Sequence, residues 1–143
     1  MSKVLILMGS ESDREKMEKA VPILTEAGVA VDVEVSSAHR QPDRTAELAR
    51  TAEEKGYRVV ICGAGLSAAL PGVVAAHTQL PVIGVPLNAA LGGLDALLSV
   101  AQMPPGVPVA CVGIDNAKNA AHLALRILRL GGEQRRPYMK GQG

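Results

Sequence analysis

His39 and Arg40 form the adjacent pair in this 143-residue chain best suited to chemistry. An imidazole titrates near neutrality and can carry a proton in either direction. A guanidinium beside it can grip a phosphate or carboxylate through paired hydrogen bonds. Adjacent His and Arg are common by chance, so position decides their worth. This pair follows the apolar run Val29 to Val35 through Ser36, Ser37 and Ala38, which places it at a strand end. His77 closes an apolar helix pattern and His122 lies inside another, so both read as structural or interface residues. A second group, Gly9-Ser10-Glu11-Ser12-Asp13, joins a strand to a helix. Free N–H groups at a helix start suit a phosphate, and Ser10 and Ser12 add hydroxyl donors. Asp13 repels phosphate and suits a ribose hydroxyl. The simpler reading is that Ser12 and Asp13 cap the helix, with Ser12 and Glu15 as a capping box; on local sequence alone it is preferred. A third group, Gly63-Ala64-Gly65-Leu66-Ser67, is small enough for a flat ligand to touch the backbone.

Several chemistries are excluded. The first loop lacks the Gly-Lys-Ser/Thr ending of a nucleotide-triphosphate loop, and Gly63-Ala64-Gly65 has no third glycine or following acid at dinucleotide spacing. The third strand pattern ends in Cys62-Gly63 rather than an aspartate, which argues against a phosphoacceptor domain. No Ser-His-Asp order or oriented Cys–His pair is present. With no Trp, no Phe and only Tyr57 and Tyr138, there is little to stack on a flavin or a single-stranded base. A net charge of +1 gives no reason to expect nucleic acid or a membrane surface as partner. No apolar run is long enough to span a bilayer, and Met1-Ser2-Lys3 leads directly into a strand pattern, so no secretory leader is expected. Cys62 and Cys111 sit in apolar strand patterns and read as reduced thiols of a cytoplasmic protein, not as a disulfide or zinc pair.

The elements that must position these groups alternate from end to end. Strands are expected at residues 4–8, 29–35, 59–62, 81–85 and 107–112, as short apolar runs of the kind buried in a parallel sheet. Helices are expected from Ser12 to Gly28, from Pro42 to Gly56, over 67–77, over 91–101 and over 116–130. This alternation predicts an α/β fold: a flavodoxin-like three-layer αβα sandwich on a five-stranded parallel sheet, in a single domain over residues 1–131, with a polar tail over 132–143. Ligands in such sheets bind beyond the carboxyl ends of the strands, where all three groups fall. The stretches 68–76 and 120–128 read as apolar on nearly every side. A chain this small cannot bury two such helices alone, so oligomerisation is expected.

The motifs resemble a known family. Met8-Gly9-Ser10-Glu11-Ser12-Asp13, Ser37-Ala38-His39-Arg40-Gln41-Pro42 and Gly63-Ala64-Gly65 through Leu70-Pro71-Gly72 are similar to the phosphoribosylaminoimidazole carboxylases, which include the N5-carboxyaminoimidazole ribonucleotide mutases. Residues 81–86, Gln102-Met103-Pro104 and Asn119-Ala120-Ala121 match in order, so the likeness covers residues 3 to 130. The resemblance implies carboxyl transfer in purine synthesis, in a homo-octamer with shared sites, without metal or organic cofactor. It implies that His39 shuttles the proton. Ser10, Asp13 and Arg40 match residues that hold the ribose phosphate end; Ser37, Ala38 and Gly63 through Leu66 match the bed of the imidazole and carboxylate. Gly9, Ser12 and Ser67 complete the expected substrate-binding set.

Two branches of the family remain open at this point. Mutases of this family usually carry a histidine before Leu-Pro-Gly, where this chain has Ala69. Ser67 and Ala69 lean toward direct carboxylation with carbon dioxide. Arg40, Leu70-Pro71-Gly72 and Gln102-Met103-Pro104 lean toward the mutases. A catalytically silent nucleotide-binding module is a third reading, and carboxylation of a different mononucleotide ring a fourth.

Overall fold

The computed structural model describes residues 2–131; the polar tail expected at 132–143 lies outside the described residues. The strands are β1 (Lys3–Met8), β2 (Ala30–Val35), β3 (Tyr57–Ala64), β4 (Val82–Pro86) and β5 (Ala110–Cys111). The helices are α1 (Arg14–Met17), α2 (Ala20–Glu26), α3 (Pro42–Thr51), α4 (Leu70–His77), α5 (Leu94–Ala101) and α6 (Ala117–Leu130), with 3₁₀ turns at Glu11–Asp13 and Leu91–Gly93. The sheet is parallel throughout, in the order β2-β1-β3-β4-β5. That is the flavodoxin-like order, whose ligand crevice opens between β1 and β3.

Alternation along each strand divides the core into two layers. Val4, Ile6 and Met8 of β1 with Val59 and Ile61 of β3 pack against α2 and α6. Leu5 and Leu7 with Val60, Cys62 and Ala64 pack against α3, α4 and α5. Gly84 lets the second layer close on β4: a Cβ there would lie 2.4 Å from a Val100 methyl. At the amino end of the sheet, the Tyr57 hydroxyl donates to Asp32 at 2.5 Å and the Lys3 ammonium lies 4.3 Å from the ring centre. Burial, then the bond to Asp32, pushes the Tyr57 phenol up to about 12.

Five expectations are corrected. The first helix is split between Met17 and Ala20, because Pro22 brings no N–H and its ring crowds the carbonyl of residue 18. The Ser12–Glu15 capping box is replaced by a cap one step earlier. Ser10 accepts from the Ser12 N–H at 3.3 Å, and the two hydroxyls lie 2.9 Å apart. The fourth helix starts at Leu70 rather than Ser67, since Leu66 (φ 53°) and Ala68 (φ 36°) take left-handed backbone that no α-helix admits. Strand β5 is two residues long because only Ala110 and Cys111 pair, with Ile83 and Gly84. Nor is α6 apolar all round: Lys118, His122 and Arg126 are exposed along one side while Ala117, Ala121, Ala124 and Leu128 are buried. No helix of the described residues is long and apolar enough to cross a membrane.

Candidate functional site

Register brings three strand ends level. Met8 pairs with Val35 on one side and Gly63 on the other. The ladder runs on past the strands: Ser36 N–H donates to the Met8 carbonyl at 2.9 Å, and Gly9 N–H donates to the Gly63 carbonyl at 3.3 Å. Three loops therefore leave the sheet side by side and enclose a cleft of about 460 Å³, the size range of small-molecule sites. Gly9, Ser10, Ser12 and Asp13 line it from the first loop, Ser37, Ala38, His39 and Arg40 from the second, and Ala64, Gly65 and Leu66 from the third.

Each loop is held differently. In the first, Asp13 N–H donates to the Ser10 carbonyl at 3.0 Å, closing the 3₁₀ turn. Burial pushes the Asp13 carboxyl above its ordinary 3.8, against the pull of the Ser10 N–H and the Lys16 ammonium. In the second, the hydroxyls of Ser36 and Thr45, both fully buried, lie 2.7 Å apart and tie the loop to α3. Arg44 adds bonds to the Val35 carbonyl and, at 2.9 Å, to Glu34. Gln41 N–H reaches the Ser37 carbonyl at 2.8 Å and Arg40 N–H the Ser37 hydroxyl at 3.2 Å, so His39 rides a closed turn and is exposed. In the third, Ala68 N–H donates to the Gly65 carbonyl at 2.9 Å within the left-handed stretch.

Two residues of the expected set stand apart from the cleft wall. Gly63 is buried beneath it, and a Cβ there would lie 2.2 Å from the Met17 sulfur, so its smallness serves packing of α1 on β3. Ser67 is exposed and does not line the cleft. Four lining residues fall outside the expected set: Ala68, Ala69, Leu70 and Ala89. Reading a helix from Ser67 hid the first three, although the family pattern already marks the slot of Ala69. Ala89 stands at the end of the fourth strand but carries no polar atom to draw notice. Among the described residues no three His, Cys, Asp or Glu side chains group as metal ligands.

The side chains in the cleft can bind an anion, hold a polyol and move a proton. Arg40, Ser10 and Ser12 supply donors, Asp13 an acceptor, and His39 an exchangeable proton, beside a floor of small residues that admits a planar ring. The model of the AIR carboxylase family matches residues 3–142. The chain is 59% identical to the N5-carboxyaminoimidazole ribonucleotide mutase of Pyrococcus abyssi, over 91% of this chain and 75% of that protein. It is 56% identical to the phosphoribosylaminoimidazole carboxylase of Schizosaccharomyces pombe, over 86% of this chain and 22% of that protein. The crystal structure of Treponema denticola PurE superposes with a TM-score of 0.82 at 32% identity, covering 91% of this chain and 82% of that one.

Proposed function

The chain belongs to the AIR carboxylase family, and from that footing we propose that it is an N5-carboxyaminoimidazole ribonucleotide mutase, making 4-carboxyaminoimidazole ribonucleotide in purine synthesis. The observation that carries the reading is the meeting of the His39–Arg40 turn, the Ser10–Asp13 turn and the Gly65 turn on one cleft.

The proton balance suits a single imidazole. When the carbamate C–N bond breaks, its electron pair returns to nitrogen, which takes a proton, and carbon dioxide is left in the cleft. The ring carbon then forms the new C–C bond and loses its hydrogen as a proton. His39 gives the first proton and takes the second, so it ends as it began. Arg40, Ser10 and Ser12 hold the phosphate by charge-assisted bonds, and Asp13 takes the ribose hydroxyls. Ser37, Ala38, Ala64, Gly65 and Leu66 bed the ring. Gly63 sets the floor from below, and Ser67 stands at the rim.

Carbon dioxide must be kept from escaping, yet His39 is exposed in the single chain. A homo-octamer with shared sites supplies the cover. Leu94 and Leu98 support it: they lie one turn apart on α5 and are 55% and 52% exposed, with Leu91 79% exposed in the turn before the helix, exposed apolar side chains of the kind that mark an interface. The two free cysteines fit a cytoplasmic location.

Direct carboxylation of aminoimidazole ribonucleotide is the second reading, favoured by the position of Ala69 on the cleft wall. The test offers the protein aminoimidazole ribonucleotide with excess bicarbonate and, in parallel, its N-carboxylated form at low bicarbonate. The mutase predicts conversion of the N-carboxylated form faster than its own decarboxylation could supply. Conversion only with free carbon dioxide makes the protein a direct carboxylase, and silence in both makes it a binding module. His39→Asn should lower turnover by about 10² to 10⁴-fold with the fold unchanged; unchanged turnover would remove His39 from the mechanism.

A further inference from the structure

Behind the third loop lies a group of residues that the reaction does not use. Lys16 on α1 and Asp115 after β5 meet with their ion pair at 3.0 Å. Both also bond the backbone of Asn88: the Asn88 N–H donates to the same Asp115 oxygen at 2.9 Å, and the Lys16 ammonium donates to the Asn88 carbonyl at 3.2 Å. The donor and the acceptor of one peptide segment are thus both clamped by the same ion pair. Asp115 is itself fixed, its N–H donating to the Pro86 carbonyl at 2.8 Å, and it holds a left-handed φ of 59°. The Asn88 N–H and the Lys16 ammonium together outweigh the effect of burial and hold the Asp115 carboxyl below its usual range.

What the clamp holds is the residue next to Asn88. Ala89 lines the cleft and backs the third loop. A Cβ on Gly65 would lie 2.9 Å from the Ala89 methyl and 3.2 Å from the Leu87 carbonyl, so the Gly65 backbone rests directly on this segment. Leu87 N–H is already tied to the Ala64 carbonyl at 3.0 Å. Beyond Leu87 the segment leaves the ladder, and the bonds at Asn88 are what continue its support.

We propose that Lys16 and Asp115 are positioning residues, which set the height of the Gly65 turn in the cleft by clamping Asn88 and so pressing Ala89 against it. Neither touches the substrate. The ion pair is about a third exposed and contributes little to global stability, but all of its bonds converge on one segment of the cleft wall. The inference deepens the carboxyl-transfer reading and rests on it for its kinetic readout.

Three variants test it. Asp115→Gly removes the carboxylate and accommodates the positive φ, so backbone strain is not what changes. Lys16→Met removes the ammonium and keeps the stem. Asp115→Asn keeps an acceptor oxygen for the Asn88 N–H. The expected result is faster amide exchange confined to residues 87–90 in Asp115→Gly and Lys16→Met. In the same two variants kcat should fall about tenfold with KM nearly unchanged, because the ring bed shifts and the phosphate grip does not. Asp115→Asn should recover most of the loss. Unchanged exchange at 87–90 overturns the clamp. Faster exchange with kinetics unchanged overturns its role in the site. Were the wild-type protein silent on both substrates, the reaction would fail as a reading. The clamp would then stand or fall on the exchange data at residues 87–90 alone.

Discussion

Two turns border the same cleft and are held in opposite ways. The His39 turn is built from ordinary backbone and side-chain bonds: the buried Ser36–Thr45 pair, the Arg44 bonds to Val35 and Glu34, and the closure of Ser37 on Arg40 and Gln41. The Gly65 turn has almost none of these. It carries two non-glycine residues, Leu66 and Ala68, in left-handed backbone and leans on Ala89 from behind. The difference tracks what each turn would present in the proposed reaction. A proton carrier must be aimed, and side-chain bonds aim it from within the turn. A ring bed must be shaped from backbone, and a backbone busy with its own unusual torsions takes its support from neighbours.

The largest effect that can break this comparison is at Thr45. Thr45→Val leaves the buried Ser36 hydroxyl without its partner and should cost about 1–3 kcal/mol, measured by denaturant unfolding. Ser36→Ala combined with Thr45→Val should cost less than the single change, since no polar group is then left unpaired. Equal or greater loss in the double variant would show that the pair is not the brace. A smaller effect of opposite sign is expected at Leu66. Left-handed backbone costs a side-chain-bearing residue about 1–2 kcal/mol, and glycine gives back part of that as entropy. Leu66→Gly should therefore stabilise the fold by about 0.5 kcal/mol while lowering kcat, because a slack turn beds the ring less well. A destabilised Leu66→Gly would mean the turn is not strained.

The smallest effects come from two aspartates near Lys16 and run in opposite directions with pH. Asp13 faces the cleft with its carboxyl raised above 3.8. Its folded state is favoured most when the group is protonated, and that advantage is lost as pH rises from the ordinary value through the folded one. Asp115, which backs the Gly65 turn, is lowered below 3.8. It stabilises above the ordinary value and stops doing so as pH falls through the folded one. Thermal unfolding between pH 7 and pH 3 should find Asp13→Asn more stable than wild type at neutrality and Asp115→Asn less stable, with both differences shrinking on acidification. A destabilised Asp13→Asn at neutral pH would contradict the cost assigned to that carboxylate.

The parallel sheet and its layers were legible because they follow from short apolar runs with helices between them, a pattern that depends on burial; the level of the three loops comes from strand register, which that pattern does not carry. His39 and Arg40 were legible by position: once Val29 to Val35 reads as a strand, the loop after it falls where such sheets bind ligands, although β2 is a half-buried edge strand and not a buried one. The misses have local causes. Pro22 splits the first helix, a signal present in the sequence but outweighed by the helical spacing of Met17, Ala20 and Leu24. The start of α4 depends on torsions at Leu66 and Ala68, residue types that do not advertise left-handed backbone. Ala89 falls in the loop after the fourth strand, where strand-end position alone places it, but its packing on Gly65, which brings it into the wall, is a contact between distant positions that spacing does not encode. The solvent face of α6 is written in Lys118, His122 and Arg126, but the alanines between them give the stretch an apolar average.

The missing side chain at Gly63, filled by the Met17 thioether, makes two distant positions one unit of inheritance. A lineage that gains a methyl at 63 must shorten or re-route the side chain at 17 in the same step, or lift α1 and with it the loop that carries Ser10 and Asp13. Among relatives of this chain, a larger residue at 63 should therefore come with a shorter or re-routed side chain at 17. A relative with alanine at 63 and a long side chain at 17 would be expected to carry its first loop in a different place.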